Sequence, residues 1–315
     1  MFTYLARRAL TLLPILLLMS IMVFGLVRMI PGDPIDVMYG GEGMDEMRRA
    51  ALSRELGLDQ PIVVQYGRWL LRAIGGDLGN SYRASMPVMQ LIGQRLPATL
   101  WLSFSAMVLS LIIALPLGLL AAVKRNSAAD MGATAFAILG ISMPNFWSGI
   151  LLVLIFSIWL GWLPSIGYVS PFEDLGRSLR HLILPAFTLG WALAGVTTRL
   201  ARSSLLEELG KDYVRTARSK GLAERAVLLR HTLRNALIPT VTMIGLQMGF
   251  LIGGTVVVET VFAWPGVGLL VVDSIFARDY PVVQGVVLVI AVLVVLINLL
   301  VDVTYTVLDP RIRLD

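Results

Sequence analysis

The chain of 315 residues contains no cysteine. That excludes a disulfide framework, a thiolate metal site and thiol catalysis. It has two histidines, His181 and His231, too few for a convincing metal cluster. No catalytic or metal-binding set emerges. Charge is scarce as well: Asp, Glu, Lys and Arg make up 15% of the residues, against about 25% in ordinary soluble domains. There is also no G-x-x-x-x-G-K-[ST] loop to hold phosphates, so the chain cannot hydrolyse ATP by that mechanism. Hydrophobic residues, by contrast, reach 57%. A soluble single-core protein of this composition would have to expose far too much apolar surface, and a disordered chain would be charged and poor in aliphatics. The composition is that of an all-α integral membrane protein.

A span needs about 20 apolar residues to cross about 30 Å of hydrocarbon. Charge-free runs occupy 9–27, 96–123, 131–172, 181–198, 235–258 and 280–301. Gly161, Pro164, Gly167 and Pro171 break the second half of the third run, which therefore reads as one helix ending near Leu160 and then a loop. Six transmembrane helices are predicted: residues 1–30, then spans of about 98–123, 131–160, 181–202, 239–259 and 283–307. Residues 31–97 form an insertion between the first two, and 309–315 form a tail. Arg7 and Arg8 precede an apolar run longer than a signal-peptide core, and Phe24, Leu26 and Val27 stand where small residues should mark cleavage. An uncleaved first span is expected.

Basic residues orient the spans. Nine lie between 199 and 238, whereas the short loops 161–180 and 263–282 hold Arg177, Arg180 and Arg278 alone. The bias places both termini in the cytoplasm. The insertion is then external. It opens on the turn Pro31-Gly32-Asp33-Pro34 and carries two amphipathic stretches, Met44–Leu56 (with Met47, Ala51 and Leu52) and Ile62–Ile74 (with Val63, Tyr66, Trp69, Leu70 and Ala73). It reads equally as a cap packed on the bundle or as a docking surface for an external partner.

The cytoplasmic segment 203–238 is basic. Leu205, Leu209, Tyr213 and Ala217 recur every fourth residue, the stripe of one helix that Gly221 stops, with a second short helix from about Ala223 to His231. Such a pair suits anionic lipid headgroups or a partner's groove alike. In the fifth span Gly245, Gly249 and Gly253 repeat at the spacing of close helix packing. The same residues also suit a smooth wall beside a substrate path, with Thr242 and Gln247 offering polar groups. Glu259 sits near the outer end of that span and Asp302 near the inner end of the last, where each reads best as a structural anchor. Glu259 is placed to hold the turn at Trp264, Pro265 and Gly266 through backbone N–H groups, and this loop is a candidate mouth of the path.

Tyr213-Val214-Arg215-Thr216-Ala217-Arg218-Ser219-Lys220-Gly221 resembles the cytoplasmic loop of ABC-importer permeases, whose general pattern is E-A-A, three residues, G, nine residues, I-x-L-P. Ala217, Gly221 and Leu233 match, while Arg215, Thr216, His231 and Arg234 depart from it. Those departures resemble the dipeptide and oligopeptide subfamily. So do Ile30-Pro31-Gly32-Asp33-Pro34, Leu56-Gly57-Leu58-Asp59-Gln60-Pro61, Gly76-Asp77-Leu78-Gly79, Glu259 through Gly268, Arg278 through Gln284, Asn298 through Asp302, and Asp309 through Arg313. The long insertion resembles that of the first of two paired permeases.

The resemblance implies the type I ABC importer permease fold in a bacterial inner membrane. It implies a second permease, two ATPase subunits that use ATP and Mg, and a periplasmic or lipid-anchored substrate-binding protein. It involves no nucleic acid and no cofactor on this chain. Transport is by alternating access, with peptides as cargo; glutathione and nickel systems use the same permease type. Tyr213, Arg215, Thr216, Ala217, Arg218, Lys220, Gly221 and Leu222 become the residues that meet the ATPase. Thr242, Gln247, Gly249, Glu259, Trp264, Pro265 and Gly266 become those of the path or its mouth. A secondary transporter driven by an ion gradient is the alternative of another class, although it ordinarily shows intramembrane carboxylates and inverted repeats. A receptor or scaffold without transport explains none of the motifs.

Overall fold

A computed structural model describes residues 2–29, 46–55 and 59–308, with side chains at 12–25, at several positions of 46–55, and over 59–301. The described residues form helices and no strand beyond an isolated bridge between Asn80 and Pro87. We number the helices in chain order: α1 (Phe2–Met29), α2 (Glu46–Glu55), α3 (Ile62–Ile74), α4 (Val88–Val123), α5 (Ala128–Ser142), α6 (Asn145–Trp159), α7 (Leu175–Leu209), α8 (Asp212–Ser219), α9 (Glu224–Gly254), α10 (Val256–Val261), α11 (Val267–Phe276) and α12 (Tyr280–Leu308). The motifs at 30–34, 56–58 and 309–313, the ends Met44 and Leu56 of the first amphipathic stretch, and the side chains of Leu52 and Asp302 lie outside the described residues.

Four described helices are long and apolar enough to cross a membrane: α4, α7, α9 and the Tyr280–Val301 part of α12. The apolar stretch Leu12–Gly25 of α1 is shorter. The span expected over 131–160 is not one straight helix. It is α5 and α6, bent by 111° at Met143-Pro144. The cause is local: Pro144 pushes Met143 out of the helical region, to φ −85° and ψ 127°, and Pro144 itself has no N–H to continue the ladder. Pro97, Pro116, Pro185 and Pro239 lie inside long helices without ending them.

The core of the bundle is α4 packed against α7. Leu102, Ala106 and Met107 of α4 meet Leu182, Leu184, Leu189 and Leu193 of α7, and Val258, Phe262 and Trp264 close the cluster. Small residues allow the close approach. A Cβ on Gly190 would come within 2.8 Å of the Ala106 carbonyl, and one on Gly118 within 2.9 Å of the Ala201 Cβ. A second cluster (Leu78, Val88, Ile92, Val267, Val271, Tyr280 and Val286) joins the end of the insertion to α11 and the start of α12. A third, of Ala122, Leu205 and Ala236, closes the opposite end.

Two motifs far apart in the chain meet at the second cluster. The buried Asp279 carboxylate accepts from the Ser81 hydroxyl and from the backbone N–H groups of Tyr82 (3.1 Å) and Arg83 (3.3 Å). The loop after α3 is thereby tied to the α11–α12 corner.

Candidate functional site

At one end of the bundle α7 stops at Leu209, and Gly210 and Lys211 turn the chain into α8. The stripe Leu205, Leu209, Tyr213 and Ala217 is therefore split between two helices rather than carried on one. The short helix expected near 223–231 is likewise not separate: it is the start of α9, which runs on to Gly254. Its residues Val227–Thr232 form wide π-turns. Between α8 and α9 the chain reverses at Gly221, whose φ of +76° is a left-handed conformation that residues with a β-carbon resist. No atom lies within 4 Å of where its Cβ would be, so the requirement is conformational, not steric.

This hairpin has a core of its own. Val214, Ala217 and Val227 are buried, with Leu209 packed on them. Ala217, on the stripe expected to meet the ATPase, therefore faces the hairpin's interior and not an open surface. The Tyr213 hydroxyl donates to Glu208 and accepts from Asn235 Nδ2 at 3.2 Å, while Lys211 pairs with the same Glu208. One tyrosine thus links α7, α8 and α9. Arg218 makes a two-pronged pair with Glu224 (2.7 and 3.1 Å), and these hydrogen bonds push the guanidinium pKa above its ordinary value. Thr216 bonds back to the Asp212 carbonyl at 3.0 Å, and Arg215 lies 3.5 Å from the Asp212 carboxylate. Arg215, Thr216, Arg218, Lys220, Gly221 and Leu222 are exposed around the tip.

The corner beyond the other end of α9, at α10, is built differently. The Glu259 side chain is fully buried. Its carboxyl accepts from the Thr99 hydroxyl (2.7 Å) and from the Leu269 N–H (2.8 Å), in the first turn of α11. Thr99 in turn accepts from the Val267 N–H at 2.9 Å. The N–H groups that α11 leaves unpaired at its start thus find partners inside the bundle. Gly266 is required here, because a Cβ on it would collide with the Glu259 carboxylate. Trp264, predicted at a mouth, is packed inside the bundle. It is fully buried, its indole N–H donates to the Ala98 carbonyl at 2.9 Å, and Tyr168 meets it edge-on at 4.9 Å between ring centres. Pro265 is half-buried beside it.

The expected path residues separate. Gln247 is buried, accepting from Thr197 (3.2 Å) and donating to the Leu193 carbonyl (3.4 Å), so it ties α9 to α7. A Cβ on Gly249 would come within 3.0 Å of Asn298 Oδ1, so this glycine lets α12 approach. Gly245 is buried, but Gly253 is exposed with nothing within 4 Å of its missing Cβ. The three glycines are therefore not one packing face. Thr242 is exposed, alongside Leu246 and Phe250.

One pair escaped the sequence. Arg202 of α7 grips Asp130 of α5 with two bonds of 2.7 and 2.8 Å, and Asp130 also accepts from the Asn126 N–H at 2.9 Å. The two residues are 72 positions apart, beyond any local spacing rule.

Residues 114–314 match the family described as binding-protein-dependent transport system inner membrane component, and residues 1–103 match its N-terminal counterpart. The glutathione transport system permease protein GsiC of Salmonella paratyphi A is 46% identical over 313 residues, 99% of this chain and 99% of that protein. A putative peptide transport system permease protein of Brucella suis biovar 1 is 46% identical over 311 residues, 98% of each. Among solved structures, the inward-facing MetNI methionine ABC transporter superposes with a TM-score of 0.58 at 20% identity, covering 70% of this chain and 97% of that one. A helical bundle of this type I importer fold, matched along both its parts and without a phosphate loop of its own, has one reading: the chain belongs to the binding-protein-dependent transport system inner membrane components, the permease subunits of ABC importers, in which separate subunits hydrolyse the ATP.

Proposed function

We propose that this permease forms half of a path for short peptides, glutathione included, and that the hairpin from Lys211 to Thr232 is the element that an ATPase subunit moves. The cargo class rests on the names of relatives that align along nearly the whole chain. The observation that carries the coupling role is the hairpin's construction. Its own apolar core and ion pairs make it a rigid unit, its tip is polar and open, and its second arm is continuous with α9. A push on the tip is thereby delivered to a helix that crosses the bundle. Ala217 then serves rigidity, while Arg215, Ser219, Lys220 and Leu222 offer the contact. Shape ranks above charge, because exposed ion pairs contribute little.

In this reading the hairpin end and both termini are cytoplasmic, and the insertion 31–97 is external. A second permease completes the path, two ATPases drive it, and a binding protein delivers cargo from outside. Alternating access by rigid-body rocking supplies the transport cycle. The open side of α9 at Thr242, Leu246 and Phe250 faces the path, whereas Gln247, Gly249, Glu259 and Trp264 hold its walls in place. The 98–308 unit is the transporting domain.

The test uses the complete importer in proteoliposomes, with binding protein and cargo added outside. Leu222→Trp alters the exposed tip and leaves the hairpin core intact. It is expected to lose ATPase co-purification and cargo-stimulated hydrolysis while the permease still assembles in the membrane. Unchanged assembly and hydrolysis would remove the hairpin from the coupling role. Binding-protein-dependent uptake of labelled glutathione or a dipeptide tests the cargo, and uptake of neither would overturn the peptide assignment.

A further inference from the structure

The helix α3 belongs to the insertion, yet it does not stand clear of the bundle. Tyr66 and Trp69 pack on Phe24 of α1, with ring centres 5.5 and 5.7 Å away, and the Tyr66 hydroxyl is 2.8 Å from the Ser20 hydroxyl. Ser20 lies nine residues before Met29, where α1 ends. At 1.5 Å per residue that is about 13 Å of helix. So α3 lies alongside the last third of α1, not above its end.

Its side chains divide into three arcs. Tyr66, Trp69 and Ala73 form the arc against the bundle. The next arc is apolar and open: Val63 is 75% exposed, Leu71 73% and Ile74 76%. Arg68 and Arg72 follow, both exposed, and α3 has no acidic residue. At the same depth α1 also turns apolar side chains outward, with Leu17, Leu18, Ile21 and Met22 each about half exposed. For a membrane helix those are the side chains that face hydrocarbon.

We propose that α3 is an interfacial helix, resting in the outer boundary of the bilayer with Val63, Leu71 and Ile74 embedded among acyl chains and Arg68 and Arg72 against lipid phosphates. The open arc of α3 is apolar, as are the outward side chains of α1 to which it is bound, and the arginines complement anionic headgroups. A helix with one open apolar side next to one basic side is suited to that zone. Held there, α3 anchors the external insertion to the membrane as well as to α1, so that the whole segment moves with the bilayer-embedded part.

The chain has no cysteine, so single cysteines report without background from this subunit. Arg68→Cys, Leu71→Cys and Ile74→Cys would each carry a nitroxide spin label, in the complete importer with the other subunits freed of cysteine. The importer would be reconstituted in phosphatidylethanolamine–phosphatidylglycerol vesicles. Collisions with oxygen, which partitions into lipid, are compared with collisions with a water-soluble nickel chelate. The expected result is an oxygen-to-chelate ratio several-fold higher at positions 71 and 74 than at 68. Chelate-favouring collisions at all three positions would overturn the proposal by placing the face in water. Low collision rates with both reagents at 71 and 74 would overturn it in favour of a protein neighbour such as the second permease or the binding protein.

Discussion

The corners beyond the two ends of α9 solve opposite problems with the same kinds of residue. At the Glu259 end a carboxyl is fully buried, its acceptors are met by Thr99 and Leu269, and glycine at 266 leaves just enough room. At the hairpin end Glu224 meets Arg218 at the surface, while Glu208, largely covered, meets Lys211 and Tyr213. A buried polar group left without a partner costs the full desolvation of that group, whereas an exposed pair exchanges its partners with water at little cost. The first arrangement therefore has one workable geometry. The exposed Arg218–Glu224 pair tolerates more change. In the proposed reading the first arrangement holds the helices of the path in place, and the second lies beside the tip that an ATPase subunit engages.

The sharpest way to break this contrast is at the fixed joint. Glu259→Leu leaves the Thr99 hydroxyl and the Leu269 N–H without their acceptor, at about 1–3 kcal/mol for each. Thermal unfolding of the purified permease in detergent should show the largest loss here, and Gly266→Ala, which drives a methyl group into the same carboxyl, should act in the same direction. A melting temperature like that of the unmodified protein in both variants would mean the joint is not fixed. At the hairpin Gly221→Val should cost about 1–2 kcal/mol from left-handed backbone strain alone. Because the tip is open, that cost should appear as faster proteolysis of the hairpin and weaker stimulated hydrolysis, with the bundle's melting little changed.

The smallest effect concerns pH. Burial, and then the hydrogen bond to Glu208, raise the Tyr213 hydroxyl above its ordinary value of 10.0. The folded state thus favours the neutral phenol. Its contribution is complete below pH 10 and fades as the pH climbs through the raised value. Ultraviolet titration of the assembled permease should show one late-ionising tyrosine that is missing in Tyr213→Phe, and an unchanged difference spectrum would place that hydroxyl in free solvent.

The membrane class, the long apolar runs, the amphipathic stretch Ile62–Ile74 and the conformational need for glycine at 221 were all legible along the chain. Each depends on composition, helical period or one residue's backbone freedom. The motifs Gly76-Asp77-Leu78-Gly79 and Arg278-Asp279-Tyr280-Pro281 were visible as separate signals. That Asp279 would fasten the loop following the first of them was not, since nothing local records a contact between positions 81 and 279. Some signals also misled for a physical reason. A four-residue spacing marks one face only while the helix continues, and Gly210 ended it between Leu209 and Tyr213. A conspicuous tryptophan in a loop suggested a mouth, but its indole N–H had a carbonyl to reach inside the bundle.

The sequence by itself determined what kind of medium the chain occupies and which segments are helices, because burial in hydrocarbon and hydrogen bonding within a helix are both properties of short stretches. The tertiary structure alone decided which side of each helix is open. It turned Ala217, Gln247, Gly249 and Trp264 inward and left Thr242, Leu222 and the apolar arc of α3 outside, because the face a side chain shows depends on where distant helices pack, and in a chain apolar on nearly every side no local pattern distinguishes a neighbour from lipid.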